Sequence, residues 1–315
     1  MLGRSGTPSG SAARRGVLLA FGTAAISGLA IYLNSFGVKL VSDAAVYTTA
    51  KNGVAAIVLV VLALAFGAGR EARALDRRNR LGLVVIAIVG GSIPFVLFFS
   101  GLAVATAPTA AFIQKTMFIW VALMAVPFLG ERLGLIQIGA LGTLLAGQAL
   151  IAPPTGMGWG AGETMIAAAT ILWSIEIVIA RRLLTGVSPQ LLGAARMGLG
   201  LVILVGYLAV SGKLAGLGTI GGEAWLWVLI TGGLLAGYVA TWFAALRLAP
   251  ATTVTSVLVV AAVVTGVLTA LNKGTAPDPR VIAGYLLVIA GTALVAYLTV
   301  LRPGAVHATL AGADA

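Results

Sequence analysis

The chain of 315 residues contains no cysteine and a single histidine, His307. The absence of cysteine excludes disulfides and thiolate metal sites. One histidine in a polar tail is too few for a histidine-based metal centre or a catalytic triad. The sequence therefore predicts no metal site and no cofactor.

Charged residues are also scarce in this sequence. Charged residues make up 9% of the chain, against about 25% in a typical soluble domain. Hydrophobic residues make up 60%, and the mean hydropathy is +1.07. The net charge of +11 would suggest nucleic acid in a soluble protein. Here the basic residues cluster in short segments between apolar runs, which indicates orientation in a lipid bilayer and no nucleic-acid partner.

Long apolar runs are abundant. A run of about 20 apolar residues crosses the hydrocarbon core of a membrane as a helix. We count ten such runs and number them as spans 1 to 10. They lie at 17–36, 43–66, 81–103, 108–127, 134–151, 162–180, 189–210, 223–246, 250–270 and 280–301.

The distribution of lysine and arginine sets the expected orientation. With the N-terminus inside, the cytoplasmic segments hold 13 of these residues and the opposite side holds 4. This bias predicts that both termini are cytoplasmic, in the plasma (inner) membrane. Arg14 and Arg15 before an apolar run also resemble a signal peptide, but the run is long enough to span. We expect residues 1–16 and 302–315 to be disordered tails.

The two halves of the chain resemble each other weakly. Three pairs of segments match at offsets of 142 to 145 residues: AKNGV (50–54) with ARMGL (195–199), AGQAL (146–150) with AGTAL (290–294), and Pro108 with Pro250. The offset corresponds to five spans, and because five is odd the second copy must insert upside down. An inverted repeat is a common plan of secondary transporters, with the substrate near the midplane between the halves.

The segment GLAVATAPTAAFIQKTMFIWVALMAVPFLGERLGLIQIGALGTLLAGQAL, with its LGERL turn before a glycine-rich span, resembles the drug/metabolite transporter superfamily, in particular its EamA-type members. The resemblance implies an all-α polytopic membrane protein, with ten transmembrane helices as two inverted five-helix repeats at 17–151 and 162–301. It also implies export or exchange of small metabolites through a central cavity lined mainly by spans 1, 3, 4, 6, 8 and 9. The second half has LNKGTAPDPR where another Gly-Glu turn is expected.

Lys115 and Gln114 stand in the middle of span 4. A charge at the centre of a spanning helix costs roughly 2.5–3.5 kcal/mol, so it suggests a function. Lys115 on a cavity helix is expected to hold a carboxylate or phosphate of the substrate. The alternatives are a lysine that snorkels to the interface and a structural ion pair, with Gln114 bonding a neighbouring helix.

Three further charges lie within spans. Lys51 and Arg196 are repeat mates in spans 2 and 7, and each is expected either to contact substrate or to brace the architecture. Glu176 in span 6 is either a proton-coupling carboxylate or the partner of Arg196 or of the arginines at 181–182. Trp173 lies three residues earlier, on much the same helix face, and is expected to line the cavity beside it.

Weaker candidates complete the expected site. Asn34 and Trp242 are expected substrate contacts, against solvation for Asn34 and packing for Trp242. The expected hinges are Gly91 and Pro94 in span 3, and Gly232 and Gly233 in its repeat mate, span 8. Close helix packing by small residues is the alternative for these glycines.

The leading functional hypothesis is a secondary active transporter, an exporter or exchanger, for a small polar or anionic metabolite such as an amino acid. The chain has no GxxxxGK[ST] phosphate loop, which argues against a primary pump, and no HExxH or GxSxG motif, which argues against an enzyme. The alternative is a lipid flippase, a scramblase or a non-transporting scaffold. The expected partners are the substrate and the lipid bilayer, with proton coupling and a homodimer left open.

Overall fold

The structure is a computed structural model that describes residues 10–153 and 159–301. Within these ranges every regular element is helical, and two short 3₁₀ turns join the α-helices. The α-helices are α1 (Gly10–Gly37), α2 (Ala44–Ala65), α3 (Ala68–Ala74), α4 (Arg77–Val89), α5 (Ile93–Leu102), α6 (Ala107–Lys115), α7 (Met117–Leu129), α8 (Leu135–Ile151), α9 (Ala161–Leu183), α10 (Pro189–Val210), α11 (Gly222–Leu248), α12 (Ala251–Leu258), α13 (Ala261–Lys273) and α14 (Pro279–Leu301).

The described residues contain nine helical segments that are long and apolar enough to cross a membrane. Three of these segments join two helices end to end: α4 with α5, α6 with α7, and α12 with α13. Helix α8 is a shorter apolar helix of 17 residues. At 1.5 Å per residue it is about 26 Å long, slightly less than the hydrocarbon core. Each of the ten predicted apolar runs falls on one of these segments.

The helical boundaries differ from the prediction at the start of the chain and after span 2. Helix α1 begins at Gly10, so residues 10–16, which we expected to be disordered, are helical. The alanines and arginines at 12–15 have high helix propensity, which accounts for the extension. The basic segment after span 2 forms the short helix α3. Residues 1–9 and 302–315, the rest of the predicted tails, lie outside the described residues.

Left-handed glycines mark the same turns in both halves. Within residues 10–153 and 159–301, four glycines have positive φ, a conformation that other residues rarely adopt. Gly67 and Gly212 lie 145 residues apart and follow α2 and α10. Gly130 and Gly274 lie 144 residues apart and end α7 and α13. Matching turns at a constant offset show that the two halves share one architecture.

Repeat mates α2 and α10 run in opposite directions. Asp43, before the start of α2, forms an ion pair with Lys213, after the end of α10. At the other end, Glu71 in α3 accepts hydrogen bonds from the backbone and hydroxyl of Ser188, which caps the start of α10, at 2.7 and 2.6 Å. We name the two ends of the helix bundle the Asp43 end and the Glu71 end. Opposite directions of mates are the geometry of an inverted repeat.

Glycines allow the helices to approach closely. A Cβ atom on Gly147 of α8 would lie 2.9 Å from the carbonyl oxygen of Gly284 of α14, and one on Gly284 would lie 2.8 Å from that of Gly147. Gly91 and Gly200 make a similar contact between the break in span 3 and α10. Small residues at such contacts are typical of helix packing in membranes.

Replacing Gly91 by alanine tests this packing. The added Cβ would lie closer than 3.0 Å to the backbone oxygens of Ala87 and Arg196, which cannot move as a flexible side chain can. We expect a loss of about 1–3 kcal/mol of stability, seen as a lower midpoint of thermal unfolding in detergent. Gly139→Ala in α8 is the matched control, because nothing lies within 4 Å of its added Cβ. Equal midpoints for the two variants would contradict the close approach.

Candidate functional site

Two spans are broken at corresponding positions. Thr116 separates α6 from α7, and Val259 and Val260 separate α12 from α13. Val260 lies 144 residues after Thr116. At each break the backbone forms i−3 hydrogen bonds: Thr116 to Ile113 at 3.1 Å, and Val260 to Val257 at 3.1 Å. Such 3₁₀ turns within a helix often mark functional hinges.

Neither break has a glycine or a proline, so no local sequence signal marks it. At Thr116 the side-chain hydroxyl donates to the carbonyl of Ile113 at 2.7 Å, which supports the tight turn. At the second break two β-branched valines stand together. The spacing of 144 residues between Thr116 and Val260 equals that between Gly130 and Gly274, and it is visible only in the three-dimensional structure.

Lys115 and Gln114 lie at the first break. Lys115 is the last residue of α6, and its side chain is partly buried. Among the described residues, neither side chain has a hydrogen-bond or ion-pair partner. The partial negative charge at the end of a helix favours a cation there but does not replace a counter-ion. The pair is thus a cation and a neutral amide available to a ligand.

Lys51 and Asn34 lie together. The Lys51 ammonium donates to the Asn34 side-chain oxygen at 3.3 Å and lies 6.0 Å from the ring centroid of Tyr47. Asn34 in turn donates to the carbonyl of Ala30 at 2.7 Å. Within the described chain the Lys51 ammonium contacts only neutral groups, so it too has no counter-ion.

Glu176 and Arg196 form a buried ion pair. The Arg196 Nε and Nη2 atoms lie 2.5 and 3.2 Å from the two carboxylate oxygens of Glu176. Glu176 is 3% exposed and Arg196 is 7% exposed. The guanidinium also lies over the ring of Phe95, with Cζ 5.9 Å from the centroid. Of the alternatives open for Glu176, the structure contains the pair with Arg196.

The break in span 3 is built around the same pair. Pro94 has no N–H, so the carbonyl of Gly90, four residues earlier, lacks its helical donor. Arg196 Nη2 donates to that carbonyl at 3.1 Å, and Trp173 Nε1 donates at 3.2 Å. We call Gly90, Trp173, Glu176, Arg196 and Phe95 the Gly90 cluster. It joins the first half of the chain to the second and has no net charge.

Span 8 has no such break. Helix α11 continues through Gly232 and Gly233. A Cβ on Gly232 would meet the Val54 side chain at 2.7 Å, while Gly233 has open space. Gly232 thus lies at a close helix contact, and the expected hinge role of Gly232 and Gly233 stays a prediction. Trp242, further along α11, is 5% exposed and stacks on Tyr238 with centroids 5.8 Å apart.

Glu131 at the Glu71 end was not predicted as a functional residue. It is 5% exposed, and its carboxylate accepts hydrogen bonds from the backbone amides of Ala251 and Thr252 at 2.6 and 3.2 Å. A carboxylate is stabilised at a helix N-terminus, here that of α12. Nearby, Arg182 donates to the carbonyl of Phe128. The LGERL turn was the available signal, since it puts an acid directly after a left-handed glycine.

The ion pair at the Asp43 end is exposed and polar. Burial raises the pKa of Asp43, but hydrogen bonds from Lys213 and from the amides of Ala45 and Val46 outweigh it, and the pKa falls below 3.8. The hydrogen bond with Asp43 raises the pKa of Lys213 above 10.5. The contribution of Asp43 to stability is lost as pH falls through its lowered pKa, and that of Lys213 as pH rises through its raised pKa. The pair is therefore intact across the range between them.

A family model described as the EamA-like transporter family matches residues 14–152 and again residues 160–297. The chain belongs to the EamA-like transporter family. This EamA-like transporter is thus a multi-pass membrane protein of the drug/metabolite transporter superfamily, and the repeated match agrees with the paired turns and breaks.

Among solved structures, the EamA-like transporter is similar to a protein whose crystal structure is described without a function or an organism. The two are 20% identical, with a TM-score of 0.74 over 90% of this chain and 98% of the other. At this identity the likeness shows the fold alone. No curated protein matches the chain.

Breaking the Glu176–Arg196 pair tests how much the pair contributes to the stability of the fold. Glu176→Leu leaves a buried, unpaired guanidinium, and we expect a loss of about 3–5 kcal/mol of stability. Glu176→Leu combined with Arg196→Met removes both charges and should recover most of that loss. Thermal unfolding in detergent measures both variants. Asp43→Asn, at an exposed pair, is the control and should lower stability by no more than about 1 kcal/mol. If Glu176→Leu lowers stability by no more than this control does, the Glu176–Arg196 pair is not a buried ion pair that stabilises the fold.

Proposed function

We propose that this EamA-like transporter is a secondary active transporter that exports or exchanges a small polar or anionic metabolite such as an amino acid. One observation carries the proposal, namely the matching breaks at Thr116 and at Val259–Val260. Interrupted spans at corresponding positions of two halves are the best pointer to a transporter's binding site. Alternating access then follows from movement of one half against the other around the site.

The breaks are suited to an anionic group. Lys115 ends α6 with no counter-ion among the described residues, and Gln114 beside it offers amide donors. A substrate carboxylate or phosphate would balance this charge. Lys51 with Asn34 supplies a second cation without a carboxylate partner in the described chain. Trp173 and Trp242, both buried in the bundle, are proposed to border the bound substrate with their rings.

The proposed topology has ten spans and two inverted repeats, at 17–151 and 162–301, with both termini cytoplasmic in the plasma (inner) membrane. It counts α8 as a span despite its 17 residues. The Glu71 end then faces the cytoplasm, which agrees with the 13 basic residues assigned to that side. Under this topology Glu131 and Arg182 hold the cytoplasmic end shut, and the Asp43 end faces outward.

Lys115→Met tests the substrate site. We expect the variant to lose transport of amino acids and small organic anions in proteoliposomes, because the anionic group loses its only balancing charge at the break. Size-exclusion chromatography checks that the variant stays folded. Lys273→Met, at the exposed end of α13, is the matched control and should transport as wild type.

Unchanged transport by Lys115→Met would refute the assignment of Lys115. Translocation of fluorescent phospholipids by the wild-type protein, without transport of any soluble metabolite, would instead establish the flippase or scramblase alternative.

Proton coupling forms the second part of the proposal, and Glu176 is its carrier. Protonation would remove the charge that holds Arg196 and would free the guanidinium for an anionic substrate. Glu176→Gln mimics the protonated state, so its transport should no longer vary with external pH. The measurement is uptake against pH in proteoliposomes, with Glu223→Gln at the exposed start of α11 as control. Wild-type pH dependence in Glu176→Gln would exclude Glu176 as the carrier.

A further inference from the structure

A cavity lies at the Asp43 end, away from the breaks. Its volume is about 310 Å³. Its walls come from the start of α2, from α5, from the end of α10 and from Lys213. Neither α6 nor α12 contributes to this lining. The cavity is thus separate from the proposed site around Lys115.

Hydroxyl groups without partners line this cavity. Thr48 and Thr49 are each 3% exposed and belong to the lining. Several buried threonines elsewhere in the bundle donate to the carbonyl four residues earlier, as Thr170 does at 2.8 Å, although Thr252 and Thr292 have no partner in the described chain. Among the described residues, Thr48, Thr49 and Ser100 have no hydrogen-bond partner. Their hydroxyls are therefore available to a ligand in the cavity.

Asn52 lies directly beneath these threonines. It is four residues after Thr48 and three after Thr49, so all three share one face of α2. Asn52 is 1% exposed, and neither its amide nitrogen nor its amide oxygen has a partner in the described part of the protein. Helical side chains lean toward the helix N-terminus, so Asn52 points toward the two threonines, although it is not itself one of the residues that line the cavity. An unpartnered buried amide is costly, and a ligand that reaches it would remove that cost.

The remaining walls combine aromatic rings with opposite charges. Phe95, Phe99 and Tyr207 supply the rings, and Asp43 and Lys213 stand at the mouth with 2.6 Å between carboxylate and ammonium. Both charged side chains are partly exposed. An exposed ion pair contributes little to stability, so a ligand can replace it at low cost. A ligand with its own ammonium and acid groups would satisfy both charges at once.

We propose that this cavity is a binding site for a small zwitterion with an apolar side chain. Its ammonium binds the Asp43 carboxylate, and its anionic group binds the Lys213 ammonium. Its apolar part packs against Phe95 and Phe99, and its polar atoms are hydrogen-bonded by Thr48 and Thr49, with Asn52 coming into reach when the threonine side chains rotate to bind the ligand. Free amino acids and the phosphoethanolamine headgroup of a lipid share this chemistry. The site stands whether or not the protein transports what it binds.

Photo-leucine, a diazirine analogue of leucine, tests the site on the full-length protein in phosphatidylcholine nanodiscs. Labelling followed by peptide mapping should place the modification in residues 42–49, 95–103 or 204–213, and leucine should compete it away. Two competitors each lack one charge of leucine: 3-methylbutylamine lacks the carboxylate, and 4-methylpentanoate lacks the ammonium. Each should compete at least tenfold more weakly than leucine. Labelling confined to residues 107–129, or equal competition by all three compounds, would overturn the proposal.

Side-chain variants add an independent readout. Thr48→Val with Thr49→Val keeps the side-chain shape and removes the hydroxyls, so labelling of residues 95–103 should fall at least fivefold. Asn52→Leu should lower labelling while raising the midpoint of thermal unfolding, because it removes an unpartnered buried amide. Thr143→Val is the control, at a half-buried threonine of α8 whose hydroxyl donates to the carbonyl of Gly139. A higher midpoint with unchanged labelling in Asn52→Leu would refute the role of Asn52.

Nanodiscs that contain phosphatidylethanolamine separate the two sources. Loss of photo-leucine labelling in them assigns the cavity to the lipid headgroup, and retained labelling assigns it to a free zwitterion; both support the site. The assay measures binding alone, so a negative result leaves the transport proposal standing, just as failure of Lys115→Met leaves this cavity untouched.

Discussion

The contact between the two halves at span 3 depends on one backbone carbonyl, that of Gly90, which accepts hydrogen bonds from Arg196 and Trp173. In a membrane, water does not satisfy a polar group that the chain leaves open, so each must find an internal partner. Pro94 denies this carbonyl its helical donor, and a buried arginine and a tryptophan from the second half replace it. The arginine needs a carboxylate in turn, which is Glu176. The same need for internal partners explains why every regular element of the described chain is helical.

This constraint distinguishes charges that are balanced from those that are not. The Glu176–Arg196 pair has its hydrogen bonds provided by the protein, so it can connect the two halves as a neutral unit. Lys115 and Lys51 have no such acid within the described residues. A cation that the fold leaves unbalanced is more costly than one that it pairs. This difference in surroundings, rather than the presence of charge alone, is the reason we propose the break beside Lys115 as the place of an anionic ligand.

Much of the fold was predictable because its signals are local. Apolar runs predicted the helices, since length and composition limit what a membrane segment can be. Matches at offsets of 142 to 145 residues predicted the repeat. The breaks at Thr116 and Val259 were not predictable, because no glycine or proline marks them. The partner of Glu176 could only be left as alternatives, since which of several arginines it meets depends on packing. The unpartnered state of Asn52 likewise follows from neighbours that are distant in the sequence.

The cap that Glu131 places on α12 has a consequence for how the protein is made. The carboxylate and the amides that it binds are separated by 120 residues of sequence. At a synthesis rate of about 5–20 residues per second, the first half waits on the order of ten seconds for this partner. During that interval the first half has a carboxylate with no helix end to receive it. This contact between the two halves can therefore form only after the start of α12 has been synthesised.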